Sequence, residues 1–189
     1  MQWFEKYEDK LGVRYKTFHK LFSIAIDREL QNIVETGTSR GKDKFYYLRP
    51  KVNWKDGMST ILFAEYVKLN KGQLWTCDID AKNIHNASLF LKDFDLHANL
   101  IVSDSLKFLE DFNETIDVLY LDSHDGNLPG ANEHQLREAQ LSVDKMNSNG
   151  LIMLDDKGQK TELSIPFLIN KGWKIIFETD HQVIFQKVN

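Results

Sequence analysis

IVETGTSRG, Ile33 to Gly41, reads as a buried strand that breaks into a glycine turn. Such a turn brings the backbone close to a ligand, because glycine has no Cβ and adopts positive φ at little cost. Gly37 is the first glycine of the turn. The second is Gly41 or a glycine further on, and the surrounding chain has to decide between them.

Outward from this stretch, apolar runs alternate with helical patterns. NIVET (32–36) is the first strand and QLWTCDID (73–80) the second. ANLIVSD (98–104), IDVLYLDS (116–123) and LIMLDD (151–156) follow. Between them lie helical segments at 57–72, 81–96, 105–112, 131–150 and 161–172, the fourth ending at Asn149-Gly150. WKIIFET (173–179) and HQVIFQKV (181–188) form a closing antiparallel hairpin. Residues 3–31 are a leading helical region, with Phe18, Leu21, Phe22, Ala25, Ile26 and Leu30 at helical spacing.

Strands alternating with helices predict an α/β fold: a doubly wound, Rossmann-like sheet of seven strands in a three-layer sandwich. Ligands of such sheets bind beyond the carboxyl ends of the strands. That places Glu35–Ser39, Asp78–Asp80, Asp104–Ser105, Asp122–Asp125 and Asp155–Asp156 along one rim. Five polar strand ends on one rim predict a ligand site.

The 189 residues fit a single domain, 1–189. A formal net charge of -4 and a pI of 5.9 lack the basic excess of a nucleic-acid binder, so no such partner is expected. One cysteine, Cys77, excludes an internal disulfide and reads as a small core residue. No secretory leader and no apolar run of membrane-spanning length is read, so a cytoplasmic protein is the expectation. The apolar leading helix could cover its own sheet or a neighbour's, which leaves a homo-oligomer open.

The chain resembles class I S-adenosylmethionine-dependent methyltransferases from about Asn32 onward. The match is carried by VETGTS (34–39) continued in DGMST (56–60), by LWTCDID, by IVSDSLKFL and by IDVLYLDSHD with GLIMLDD. The last pair is similar to metal-dependent O-methyltransferases, including those acting on sugars in macrolide pathways. The glycine motif is split: Gly37 and Gly57 are its two glycines, residues 40–56 are an insertion, and Gly41 is a loop residue.

The resemblance implies roles. Gly37, Thr38, Ser39, Gly57 and Ser59 would frame the cofactor, S-adenosylmethionine. Glu35 would fix the turn or accept from the methionine ammonium, Asp78 would take the ribose hydroxyls, and Asp104 and Ser105 would meet the adenine edge. Asp122, which would also border the cofactor, joins Asp155 and Asp156 as an oxygen set suited to Mg2+. Such a metal would lower the pKa of a substrate hydroxyl. His124 is a candidate general base beside Asp122.

Plainer readings stand beside these. Asp80 would cap a helix, Asp155 or Asp156 a turn, and His124 would be a polar loop residue. His134 would face solvent or pack on the loop, and His181 would belong to the hairpin tip. Phe45, Tyr46, Tyr47, Arg49, Lys51 and Trp54 suggest a lid over a small-molecule acceptor. Two other functions remain: a non-catalytic S-adenosylmethionine-binding module, and a metal-dependent sugar-nucleotide enzyme using Asp78 and Asp80.

Overall fold

The computed structural model describes residues 1–40, 54, 58–92 and 95–188. Its strands are β1 Asn32–Thr36, β2 Gln73–Asp78, β3 Ala98–Val102, β4 Ile116–Leu121, β5 Met146–Leu154, β6 Trp173–Glu178 and β7 Val183–Lys187. They form one sheet in the order β3-β2-β1-β4-β5-β7-β6. The first five run parallel, and β7 pairs antiparallel with both β5 and β6. This is the doubly wound α/β architecture with a closing hairpin that the sequence pattern predicts.

All six residues of β4 are buried, as a central parallel strand covered on both faces requires. Successive side chains of a strand point to opposite faces. Val118 and Tyr120 of β4 therefore join Leu151 and Met153 of β5 in one core. Leu119 and Leu121 join Ile152 and Leu154 in the other.

The first core lies under helices α1 Gln2–Glu5, α2 Glu8–Leu11, α3 Tyr15–Asp27 and α4 Ser59–Asn70, with Leu91, at the end of α5 Ala81–Phe90, packed into it. Phe18, Leu21, Phe22 and Ala25 form the buried stripe of α3. Phe22 stacks on Tyr66 of α4 with ring centres 5.2 Å apart. Helix α4 buries seven of its twelve residues, and Trp3 of α1 packs beside it with its ring centre 6.4 Å from that of Tyr66. So the leading region covers its own sheet. The second core lies under α6 Ser105–Asp111, α7 Ala131–Ser142 and α8 Ser164–Asn170. Cys77 is buried there, and burial pushes its thiol up, away from reactivity.

One boundary differs from the sequence reading. Helix α7 stops at Ser142, and Met146–Gly150 belong to β5. NSNG looks like a helix stop, yet Met146 pairs with Ile116 across an irregularity in the ladder. Asn147 also donates to Asp117 at 2.8 Å. Tertiary pairing decided what local propensity left ambiguous. Among the described residues no helix is long and apolar enough to cross a membrane. Gly41, Gly57 and most of the 40–56 insertion lie outside the described residues, as do five of the six residues read as a lid.

Candidate functional site

The turn after β1 is wedged between two strands. Gly37 has φ +80°, and a Cβ there would stand 2.4 Å from the Asp122 carbonyl oxygen. Its N–H donates to Cys77 O at 2.9 Å, and Asp122 N donates to Thr36 O at 3.0 Å. Only glycine fits both the conformation and the space.

Beneath the turn, Glu35 is fully buried. Its carboxylate accepts from Ser59 Oγ at 2.5 Å, Thr60 Oγ1 at 2.7 Å and Thr76 Oγ1 at 2.7 Å. Burial pushes its pKa up to about 7, against the three hydroxyls that favour the ionised form. Thr60 Oγ1 also accepts from Ser39 N at 2.8 Å, tying the turn to the start of α4. Glu35 is thus a brace. It has no surface to offer a ligand's ammonium, which corrects that half of its expected role. Thr60 and Thr76 were missed by sequence reasoning, since a threonine in an apolar run carries no mark of its partner.

On the β2–β3 side, Asp78 accepts from Asp80 N at 2.8 Å, Asn83 Nδ2 at 3.1 Å and Thr38 N at 3.4 Å. Asp80 caps α5 through Lys82 N, and Asp104 caps α6 through Leu106 N and Lys107 N. Ser105 Oγ lies 2.9 Å from His134 Nε2. Ser123 Oγ donates to the buried Glu138 at 2.6 Å. A side-chain hydrogen bond to Glu138 holds the half-buried His134 above the usual imidazole range. His134 therefore packs on the loop after β4 rather than facing open solvent.

His124 goes with this side. Its ring centre is 5.2 Å from that of His134, and its buried Nε2 has no hydrogen-bond partner among the described residues. The loop after β4 sends Asp122 to one side and Ser123 and His124 to the other. This corrects the reading of His124 as the base beside Asp122.

On the β4–β5 side, oxygens of Asp122, Asp155 and Asp156 converge within 4.8 Å of one another. Two cations already stand among them. Lys160 Nζ is 3.0 Å from Asp122 Oδ1 and 3.5 Å from Asp156 Oδ2. Arg14 forks onto Asp155 with two bonds of 3.1 Å and reaches Asp156 at 3.2 Å. Burial pushes the Asp122 carboxyl well above the usual carboxylate range, Asp155 adds to the push and Lys160 opposes it. Asp122 keeps 24 % of its side chain exposed, so water in the cleft tempers that shift.

Convergence alone would suit a divalent ion, but the donors do not fit one as they stand. An ion would enter beside an ammonium and a guanidinium that already hold these oxygens. The magnesium expectation therefore gains no support from the geometry. Neither Arg14 nor Lys160 was found in the sequence. Lys160 stands four residues after Asp156, but Lys157 is nearer still along the chain and instead pairs with Glu178.

A cleft of about 980 Å3 opens on this side, walled by Gly12, Trp54, Met58, Tyr120, Asp122 and Lys160 among others. Arg40 and Asp125 pair across its rim at 3.0 Å. Trp54, the one described residue of the expected lid, lies 5.2 Å from the Tyr7 ring and under Lys10 Nζ at 4.9 Å. Asp78, Asp104, Ser105 and His124 lie outside the cleft wall. The Gly37 turn separates the two halves.

The family model described as "methyltransferase domain" matches residues 54–157, more than half of the chain. The chain belongs to the methyltransferase-domain family. The match begins after the Gly37 turn, near the end of the insertion. Of solved structures, an S-adenosylhomocysteine-bound Podospora anserina methyltransferase aligns with a TM-score of 0.66 at 13% identity, over 100% of this chain and 86% of its own. An rRNA methylase from Streptococcus thermophilus aligns at 0.59 and 13%, over 91% and 96%. A ribosomal protein L11 methylase from Lactobacillus delbrueckii subsp. bulgaricus aligns at 0.58 and 11%, over 90% and 78%. No match was found among curated proteins. At these identities the likeness is one of fold. It leaves the acceptor of this methyltransferase domain open, since a fold does not fix a substrate.

Proposed function

We propose that this methyltransferase domain transfers a methyl group from S-adenosylmethionine to a hydroxyl of a small polar acceptor. The observation that carries the reading is the Gly37 turn, wedged between Asp78 on one side and Asp122 with its cleft on the other. Backbone at Gly37–Ser39 would run along the cofactor. Asp78 has lone pairs beyond its present bonds for the ribose hydroxyls. Ser105 and the backbone at Asp104 would meet the adenine. Family membership weighs against the sugar-nucleotide reading, and Asp80, one half of its acid pair, already caps α5.

The acceptor would enter the cleft, whose walls carry acids and bases in turn, Asp122 beside Lys160 and Asp125 beside Arg40. Such walls suit a hydroxylated molecule over an apolar one. Methyl transfer breaks the C–S bond of the sulfonium, leaves the electron pair on sulfur and forms a C–O bond in line. The hydroxyl proton passes to Asp122, which faces the cleft. Holding the two reactants in that line supplies much of the acceleration.

The test is calorimetric titration with S-adenosylhomocysteine, wild type against Asp78→Ala, followed by an acceptor screen with and without magnesium. Binding lost in the variant supports the cofactor site. Binding with no turnover on any acceptor points to the non-catalytic module, and no binding at all overturns the reading.

A further inference from the structure

We infer that this domain supplies its own cation where three converging carboxylates would otherwise hold a metal: Lys160, seated between Asp122 and Asp156 and seconded by Arg14 on Asp155, makes the acceptor site metal-independent. The methyltransferase reading says what the site is for, and the inference rests on it for that alone. The contacts stand by themselves.

The charges decide first. Asp122, Asp155 and Asp156 bring three carboxyl groups within 4.8 Å of one another. Lys160 and Arg14 set two positive charges against them. A divalent ion added with both in place would face two cations at contact range, where like charges repel strongly in a partly dry site. The oxygens decide next. A hard divalent ion takes six or more oxygen ligands at about 2.0–2.6 Å. Here Asp122 Oδ1 and Asp156 Oδ2 hold the ammonium, and both oxygens of Asp155 hold the guanidinium.

Burial fixes the ammonium in place. Lys160 is 1% exposed, although lysine is almost never fully buried unless paired. It belongs to the short 3-10 turn Gln159–Thr161, which is closed by Gly158 N donating to Thr161 Oγ1 at 3.1 Å. An ammonium carries three N–H donors. Two point at Asp122 and Asp156, and among the described residues the third has no partner. Lys160 borders the cleft but has almost no surface of its own to offer an acceptor. It is thus a positioning residue: it orients Asp122.

Mn2+ titration of the wild type, Lys160→Met and Lys160→Met/Asp155→Asn tests this, read by electron paramagnetic resonance of the free ion and by calorimetry. The wild type should show no site up to about 1 mM. Lys160→Met should gain one site at least about tenfold tighter than any the wild type shows, and the double variant should lose it. A merely structural lysine would not create a metal site on removal. One wild-type site as tight as that of Lys160→Met would overturn the inference, and so would no gain in a Lys160→Met that still melts cooperatively. If that variant does not fold, Arg14→Met, which removes the more exposed cation, replaces it in the same comparison. S-adenosylhomocysteine titrated into the same samples separates the two readings. A wild type that binds neither ligand sinks the cofactor site and leaves the metal-independent cluster standing, while one that binds both does the reverse.

Discussion

The Lys160 ammonium stands 3.0 Å from the Asp122 carboxylate with 1% of the lysine side chain exposed. Removing one partner of such a pair leaves charge buried without compensation, and a fully buried case costs 3–5 kcal/mol. Asp122 is partly exposed, which places the loss for Lys160→Met near the lower end, about 3 kcal/mol. Urea unfolding at neutral pH measures it. A loss within about 0.5 kcal/mol, the scale of ordinary surface substitutions, would mean that the pair is not intact in solution.

Glu35 gives the pH dependence. Its folded pKa of about 7 lies above the ordinary value of 4.5, so the folded state holds the proton more tightly than the unfolded state. Its contribution to stability is therefore complete below pH 4.5 and is lost as pH rises toward 7. The loss is about 3 kcal/mol in order of magnitude. Glu35→Gln has no such titration. The stability difference between wild type and Glu35→Gln, followed by urea unfolding from pH 4.5 to 7.5, should shift against the wild type across that window. A flat difference rules this out.

Gly37→Ala should damage fold and site together. The new methyl would stand 2.4 Å from the Asp122 carbonyl at φ +80°. We expect a loss of at least about 2 kcal/mol by thermal or urea unfolding. S-adenosylhomocysteine binding should disappear at temperatures where the variant is still folded.

Asp78 and Asp80 should separate cleanly. Asp78→Ala removes hydrogen bonds to a charged acceptor and should weaken S-adenosylhomocysteine about 10–100-fold. Asp80→Ala removes the α5 cap, costs about 1 kcal/mol of stability and leaves binding unchanged. Equal effects of the two on binding would argue against the ribose role.

Once an acceptor is in hand, Asp122→Asn should lower turnover about 100-fold or more, the usual scale for removing a proton acceptor. His124→Ala, on the other side of the Gly37 turn, should leave turnover within a few-fold. The opposite order would restore His124 as the base.

Much of the fold was legible in order. NIVET, QLWTCDID and IDVLYLDS are apolar runs broken at their carboxyl ends by Gly, Asp or Ser, and the strands sit where those runs lie. Met146–Gly150 was not legible, because NSNG stops a helix as readily as it enters a strand, and only Ile116 and Asp117 across the ladder choose. Within the site, strand ends named Glu35, Asp78, Asp122 and Asp155, because a parallel sheet must present them on one rim.

The sequence by itself determined that rim, the glycine at its centre and the two cores, since these follow from strand period and from which residues can be buried. The tertiary structure decided the partners. It made Glu35 a brace by bringing it three hydroxyls from α4 and β2. It turned His124 toward His134 and carried Arg14 and Lys160 into the acids of β4 and β5 from 141 residues and 38 residues away along the chain. Electrostatic pairing acts through space over a few ångströms, and nothing in the local pattern around a lysine or arginine states which carboxylate the fold will bring to it.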